Sequence, residues 1–170
     1  MELKDYVSIE FDGLERNLKR ALNGLNQAEL VWRPACGCNS IGLILFHIFR
    51  SEDSFIQARL QNKPEVWTTG KWYKRLNVAE NEPGAHYTVE QVNAFSVPKL
   101  EDMMAYYEAV RAETKEYIKK LTPASFDKKI TMPHFGEMPA AAMISLVVGH
   151  TSGHIGEISY LRGLQRGMDK

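Results

Sequence analysis

The sequence predicts an all-α fold, a four-helix bundle with a long crossover between its second and third helices. Two observations carry this. Apolar residues recur at spacings of three and four in four separate stretches, and no stretch shows strong period-two alternation of β-branched residues. A third sets the topology: an aromatic-bearing excursion, Gln61 to Val97, separates the second stretch from the third.

In the first helix, near residues 4–25, Tyr6, Val7, Phe11, Leu14, Leu18, Leu22 and Leu25 form one stripe, weakened at its end by Gly24 and Asn26. The second, near 40–60, opens after Asn39 and Ser40, either of them a good N-cap. It carries Ile41, Ile44, Leu45, Ile48 and Phe55. The third, near 99–121, buries Leu100, Met103, Met104, Tyr107, Val110, Thr114, Ile118 and Leu121. Its other face holds acids early, then Arg111 and lysines late, which complements the helix dipole. The fourth, near 139–165, starts at Pro139, and Gly167 is a plausible stop. Within the excursion, Thr88 to Glu90 predicts a short helix capped by Thr88. Trp67, Trp72, Tyr73, His86, Tyr87 and Phe95 are too many aromatics for a solvated linker, and loops this long are often binding walls.

The 170 residues suit one domain spanning 1–170, long enough to bury a core without staples. Lysine plus arginine equals aspartate plus glutamate at 21 each, so no basic excess favours nucleic acid. The charged start and the lack of a long purely apolar run argue against a signal peptide and a membrane span. Cys36 and Cys38 are too close for an unstrained disulfide or the usual Cys-x-x-Cys spacing, and both read as structural. A soluble protein in a reducing cytoplasm is expected. Gly70, Gly84 and Gly136 stand alone and make no phosphate-binding loop.

Chemistry concentrates in the histidines. His150 and His154 stand four apart on the stripe Met143, Val147, His150, His154, Ile158 and Leu161, so both imidazoles face the core one turn apart. His47 lies inward on the second helix, at the edge of its stripe. Three imidazoles with an open fourth position would suit a catalytic metal. Burying three unpaired rings would cost on the order of 1–3 kcal/mol each, which a cation would offset. Helical phase does not show convergence, and an inward histidine bonded to a carbonyl is the competing reading. A zincin protease is excluded, because Thr151 stands where that motif needs glutamate. Glu157 could reach the rim as a catalytic base or as a partner to a histidine, although a solvated helix glutamate is the simpler reading. His86 and His134 fall in loops; either could join a site, although a surface histidine is the simpler reading.

The run Arg33, Pro34, Cys36, Gly37, Asn39, Ser40, Ile41, Gly42 and then His47 resembles the entry to the second helix of DinB-like proteins. Gly149, His150, Ser152, Gly153, His154, Ile155, Gly156, Glu157, Ile158 and Leu161 resemble that superfamily's last helix, and Gly70 to Tyr73 with Thr88 to Gln91 share its flavour. The resemblance implies a DinB-like bundle of non-standard helix order, holding a divalent metal (zinc, nickel or iron) on His47, His150 and His154. Some members of the superfamily are thiol-dependent enzymes, such as mycothiol-dependent maleylpyruvate isomerase and bacillithiol S-transferases. The function to expect is therefore a metal-dependent S-transferase or isomerase using a low-molecular-weight thiol, with a hydrolase as a variant. Trp72 and Tyr73 would wall its substrate. The alternative is a non-catalytic metal-binding or stress-response protein. The expected partner is a small-molecule substrate, with no nucleic acid or membrane, and a homodimer left open.

Overall fold

The structure, a computed structural model, describes residues 1–132 and 136–167. His134, expected in a loop, lies outside them. The four long helices are α1 (Leu3–Leu22), α3 (Ile41–Asp53), α7 (Leu100–Lys119) and α9 (Ala140–Arg166). Shorter ones connect them: α2 (Gln27–Val31), α4 (Val66–Thr69), α5 (Trp72–Leu76), α6 (Val89–Ala94) and α8 (Pro123–Asp127). A small antiparallel hairpin pairs β1 (Lys129–Met132) with β2 (Gly136–Pro139), with Ile130 opposite Met138. The long helices pack α1 with α9, α9 with α3, α3 with α7 and α7 with α1. Chain neighbours α1 and α3 therefore sit across the bundle from each other, which is the non-standard order the resemblance implied. Among the described residues, no helix is long and apolar enough to cross a membrane.

Several helices begin where the sequence provides a cap. The Ser40 side chain accepts from the Leu43 N–H at 3.2 Å, so Ser40, fully buried, is the cap of α3. Thr88 caps α6 and exchanges hydrogen bonds with Gln91. The same reciprocal pattern in Asn26 and Glu29 opens α2, a helix absent from the four-stripe reading. Beyond Asp53 the second long helix widens into a π-helix over Ser54–Leu60. Its buried residues Ile56, Gln57 and Leu60 stay close to the helical repeat, so periodicity alone reads straight through the change.

Two expected placements differ. Tyr6, assigned to the α1 stripe, is 48% exposed at its edge. Arg111, assigned to the wet face of α7, is 3% exposed and paired with fully buried Glu52 at 3.0 Å. The physical reason is that the charge has partners on both sides. Arg111 donates to the Tyr107 hydroxyl at 2.6 Å and lies 5.1 Å over the Phe11 ring, while Thr114 donates to Glu52 at 2.8 Å. This cluster ties α1, α3 and α7 together.

Removing one member of such a pair strands a buried charge, a loss of about 3–5 kcal/mol. Arg111→Ala should lower urea-denaturation stability by that order, and a Glu52→Leu/Arg111→Met double variant should recover most of it. A second tie is more accessible. Burial alone would raise Glu15, but hydrogen bonds from Lys19 and Lys115 override it and hold the carboxyl at about 2. Its folded pKa lies below the unfolded value, so its contribution is present above roughly pH 4.5 and is lost as pH falls toward 2. The stability gap between wild type and Glu15→Gln should narrow over that window in a pH series of thermal melts.

Candidate metal centre

His47 projects from α3 and His150 and His154 from α9, where the two helices pack. One ligand-capable nitrogen from each ring lies within 4.8 Å of the others, and His47 Nε2 is 2.9 Å from His150 Nε2. The ring centroids are 4.5 Å to 4.8 Å apart. A tetrahedral ion with bonds near 2.0–2.1 Å needs ligand nitrogens about 3.3 Å apart, a spacing these distances bracket. The group could hold a metal ion.

The opposite edges of two rings are fixed. His47 Nδ1 donates to the Gly84 carbonyl at 2.7 Å, and His154 Nδ1 is 2.7 Å from Glu157 Oε2. His150 meets the edge of Phe55, with ring centroids 6.1 Å apart. Burial holds His150 down to about 4, and repulsion from His154 and His47 adds to it. Burial also lowers His47, against the opposing pull of the Gly84 carbonyl. Both rings are therefore neutral at pH 7 and have lone pairs to offer. The donor set fits a divalent ion.

Two hollows flank the group. One, of about 200 Å³, is lined by Asn39, Leu43, Ile44, His47, Ala85, His86, Tyr87, Val92 and His154. The other, of about 430 Å³, is lined by Pro34, Cys38, Asn39, Ile44, Gly156, Glu157, Tyr160 and Leu161. They share Asn39 and Ile44, so they are two lobes of one cleft opening beside His154 and Glu157. A separate apolar hollow of about 240 Å³ between α1, α8 and α9 contains none of the histidines and is set aside as a candidate site.

The structure thus brings His47, His150, His154 and Glu157 together. It does not bring Trp72 and Tyr73 to the cleft. Trp72 packs on Tyr106 at 5.7 Å and Tyr73 on Trp67 at 6.3 Å, in the aromatic layer under the crossover. Apolar area drew both half-buried rings against the core, and residues further along the crossover form the wall. His86 is exposed, as expected of a surface histidine, yet it lines the cleft. Cys36 is exposed, with Asn93 donating to its sulfur at 3.3 Å, and Cys38 is half-buried at the cleft. Sequence reasoning missed Asn39, Tyr87 and the Gly84 carbonyl. The Pro83-Gly84 dipeptide is a turn signal, but nothing in it says where the turn lands.

Fold and site together define a helical bundle with a three-histidine group at a helix–helix seam. The model of the DinB superfamily matches residues 10–158, and the chain belongs to that superfamily. A crystal structure described as the conserved protein of a locus from Enterococcus faecalis is similar over 99% of both chains, with a TM-score of 0.86. At 21% identity, that likeness establishes the fold. A comparison with curated proteins gave no match.

Proposed function

We propose that this chain is a metal-dependent enzyme that holds one divalent ion on His47, His150 and His154 and acts on a small molecule in the adjoining cleft. The observation that supports this most is the pairing of the outward nitrogens of His47 and His154 with the Gly84 carbonyl and the Glu157 carboxylate. Imidazoles that ligate metals almost always donate their second N–H to such a partner. Zinc, nickel and iron all suit three imidazoles.

The cleft favours catalysis over simple metal holding. Glu157 is engaged on His154 Nδ1, so it would serve as a positioning residue rather than a fourth ligand and would leave a coordination position of the ion open. When bound, the ion would supply Lewis acidity that lowers the pKa of a coordinated thiol or water. The chain's own residues supply the rest. Leu43, Ile44 and Val92 provide apolar walls, and Asn39 offers an amide between the two lobes. Tyr87 adds an aromatic wall to the smaller lobe, and burial, reinforced by Glu82, keeps its hydroxyl protonated. Among the lining residues of both lobes, Glu157 is the one carboxylate and none is lysine or arginine. A neutral thiol and electrophile suit this lining better than a polyanion. Transfer of a small thiol to an electrophile is the reaction class we favour, with isomerisation and hydrolysis as variants on the same site.

Protein produced without a histidine tag should carry one divalent ion per chain by elemental analysis. His154→Ala should lose it while keeping its helical circular dichroism. Glu157→Ala should retain a site weakened about 10–100-fold. Full occupancy in His154→Ala would place the site elsewhere.

Catalysis is tested by incubating metal-loaded protein with several bacterial thiols and a fluorogenic bimane electrophile, beside His47→Ala. The expected result is thiol-specific turnover that the variant lacks. Rates equal to the uncatalysed reaction with every thiol would leave a metal-binding protein without transferase activity.

A further inference from the structure

The contact between His47 Nδ1 and the Gly84 carbonyl, at 2.7 Å, joins α3 to the crossover across 37 positions of sequence. A carbonyl oxygen only accepts, so Nδ1 carries the proton and Nε2 keeps its lone pair. That nitrogen is the one 2.9 Å from His150 Nε2. In the metal-free protein His150 must therefore be the donor in that pair.

Two features put the carbonyl where it is, and both require glycine. Gly84 has a φ of +72°, a conformation that side chains rarely adopt. A Cβ at this position would stand 2.7 Å from Arg50 Cβ and 2.8 Å from Arg50 Cγ. Those atoms are the root of the side chain, and its tip is pinned by Glu65 at 2.6 Å and by the face of Trp67 at 4.6 Å. Arg50 cannot swing aside. The turn can approach α3 this closely only without a side chain at position 84. His86, two residues on, also has positive φ, at 58°, so the strain of the turn continues to the cleft wall.

We infer that Gly84 is a positioning residue for the histidine group. Its carbonyl fixes His47 in the Nδ1–H tautomer and turns Nε2 toward His150 and His154 before any ion arrives. The inference rests on the three-histidine reading but separates from it, because a tautomer is a property of the metal-free protein. Through this contact the long crossover sets the aim of one ring. Glu157 does the same for His154, and among the described residues the one hydrogen bond of the His150 ring is with His47.

The test compares Gly84→Ala with Gly136→Ala. Gly136 also has a φ of +72°, and among the described residues a Cβ there meets nothing within 4 Å. The control therefore carries the backbone strain at a position that does not contact His47, His150 or His154. Nitrogen-15 NMR of the metal-free proteins should show the His47 proton on Nδ1 in wild type and in Gly136→Ala. In Gly84→Ala it should show the Nε2–H form or a mixture. Titration with zinc alone should give binding at least about tenfold weaker for Gly84→Ala than for Gly136→Ala. A wild-type His47 in the Nε2–H form overturns the inference, as does a folded Gly84→Ala variant with wild-type tautomer and zinc affinity. If Gly84→Ala does not fold, the wild-type spectrum decides. A cross-peak between the His47 Nδ1 proton and the Gly84 α-protons is expected, and its absence also overturns the inference. Wild-type protein with the Nδ1–H tautomer and no zinc binding would sink the metal reading while leaving the positioning of His47 intact.

Discussion

Asp53 is the fully buried carboxylate on which the crossover depends. Burial pushes its pKa up, and hydrogen-bond donors oppose that. It receives three: the Val66 N–H at 2.9 Å, the Trp67 N–H at 2.8 Å and the Tyr106 hydroxyl at 2.7 Å. Two of these are the free N–H groups that open α4, so a side chain of α3 caps a helix outside its own segment. The indole of Trp67 then donates to the Glu80 carbonyl at 2.8 Å and pins the next stretch of chain. Gly84 follows shortly after. The need to satisfy one buried acid on α3 thus travels through α4 and the Trp67 ring to the turn that meets His47, which lies on the same helix as Asp53.

That helix also shows how burial and polarity are reconciled. Arg50, Glu52 and Asp53 are all buried in the most apolar of the long helices, and each is answered by a partner outside it. Arg50 meets Glu65 of the crossover, Glu52 meets Arg111 of α7, and Asp53 meets α4. Such polar pairings specify register more than they add stability. A four-helix bundle built from aliphatic stripes alone could slide or invert; these three contacts each accept one arrangement.

The same contrast separates what is legible in the sequence from what is not. The bundle is legible, because Leu14, Leu18, Ile44, Ile48, Val110, Met143 and Ile158 repeat with the helical period, and a period is a local property. The inward phase of His150 and His154 is legible for the same reason. Long-range pairing is not. Arg111 reads as a wet residue until Glu52 is known to face it, and Trp72 reads as a binding wall until Tyr106 is known to lie beneath it. The carbonyl on His47 is the least legible, since a main-chain oxygen has no residue type to betray it. The Asn26–Glu29 capping box of α2, by contrast, is a local signal, and the four-stripe reading passes over it because five residues are too few to show a stripe.

His47 and His150 are 103 residues apart in the chain, whereas His150 and His154 share one turn of one helix. The pair on α9 comes into register as soon as that helix forms, and the third ring arrives only when both halves of the chain have docked. An ion gripped by all three would therefore act as a cross-link, closing a loop of more than half the polypeptide. Loop-closure entropy grows only slowly with length, so such a clasp weighs against the unfolded ensemble much as a disulfide of the same span does. Unlike a disulfide, it is reversible and draws on the supply of free metal, so the resistance of the folded chain to opening would rise and fall with that supply.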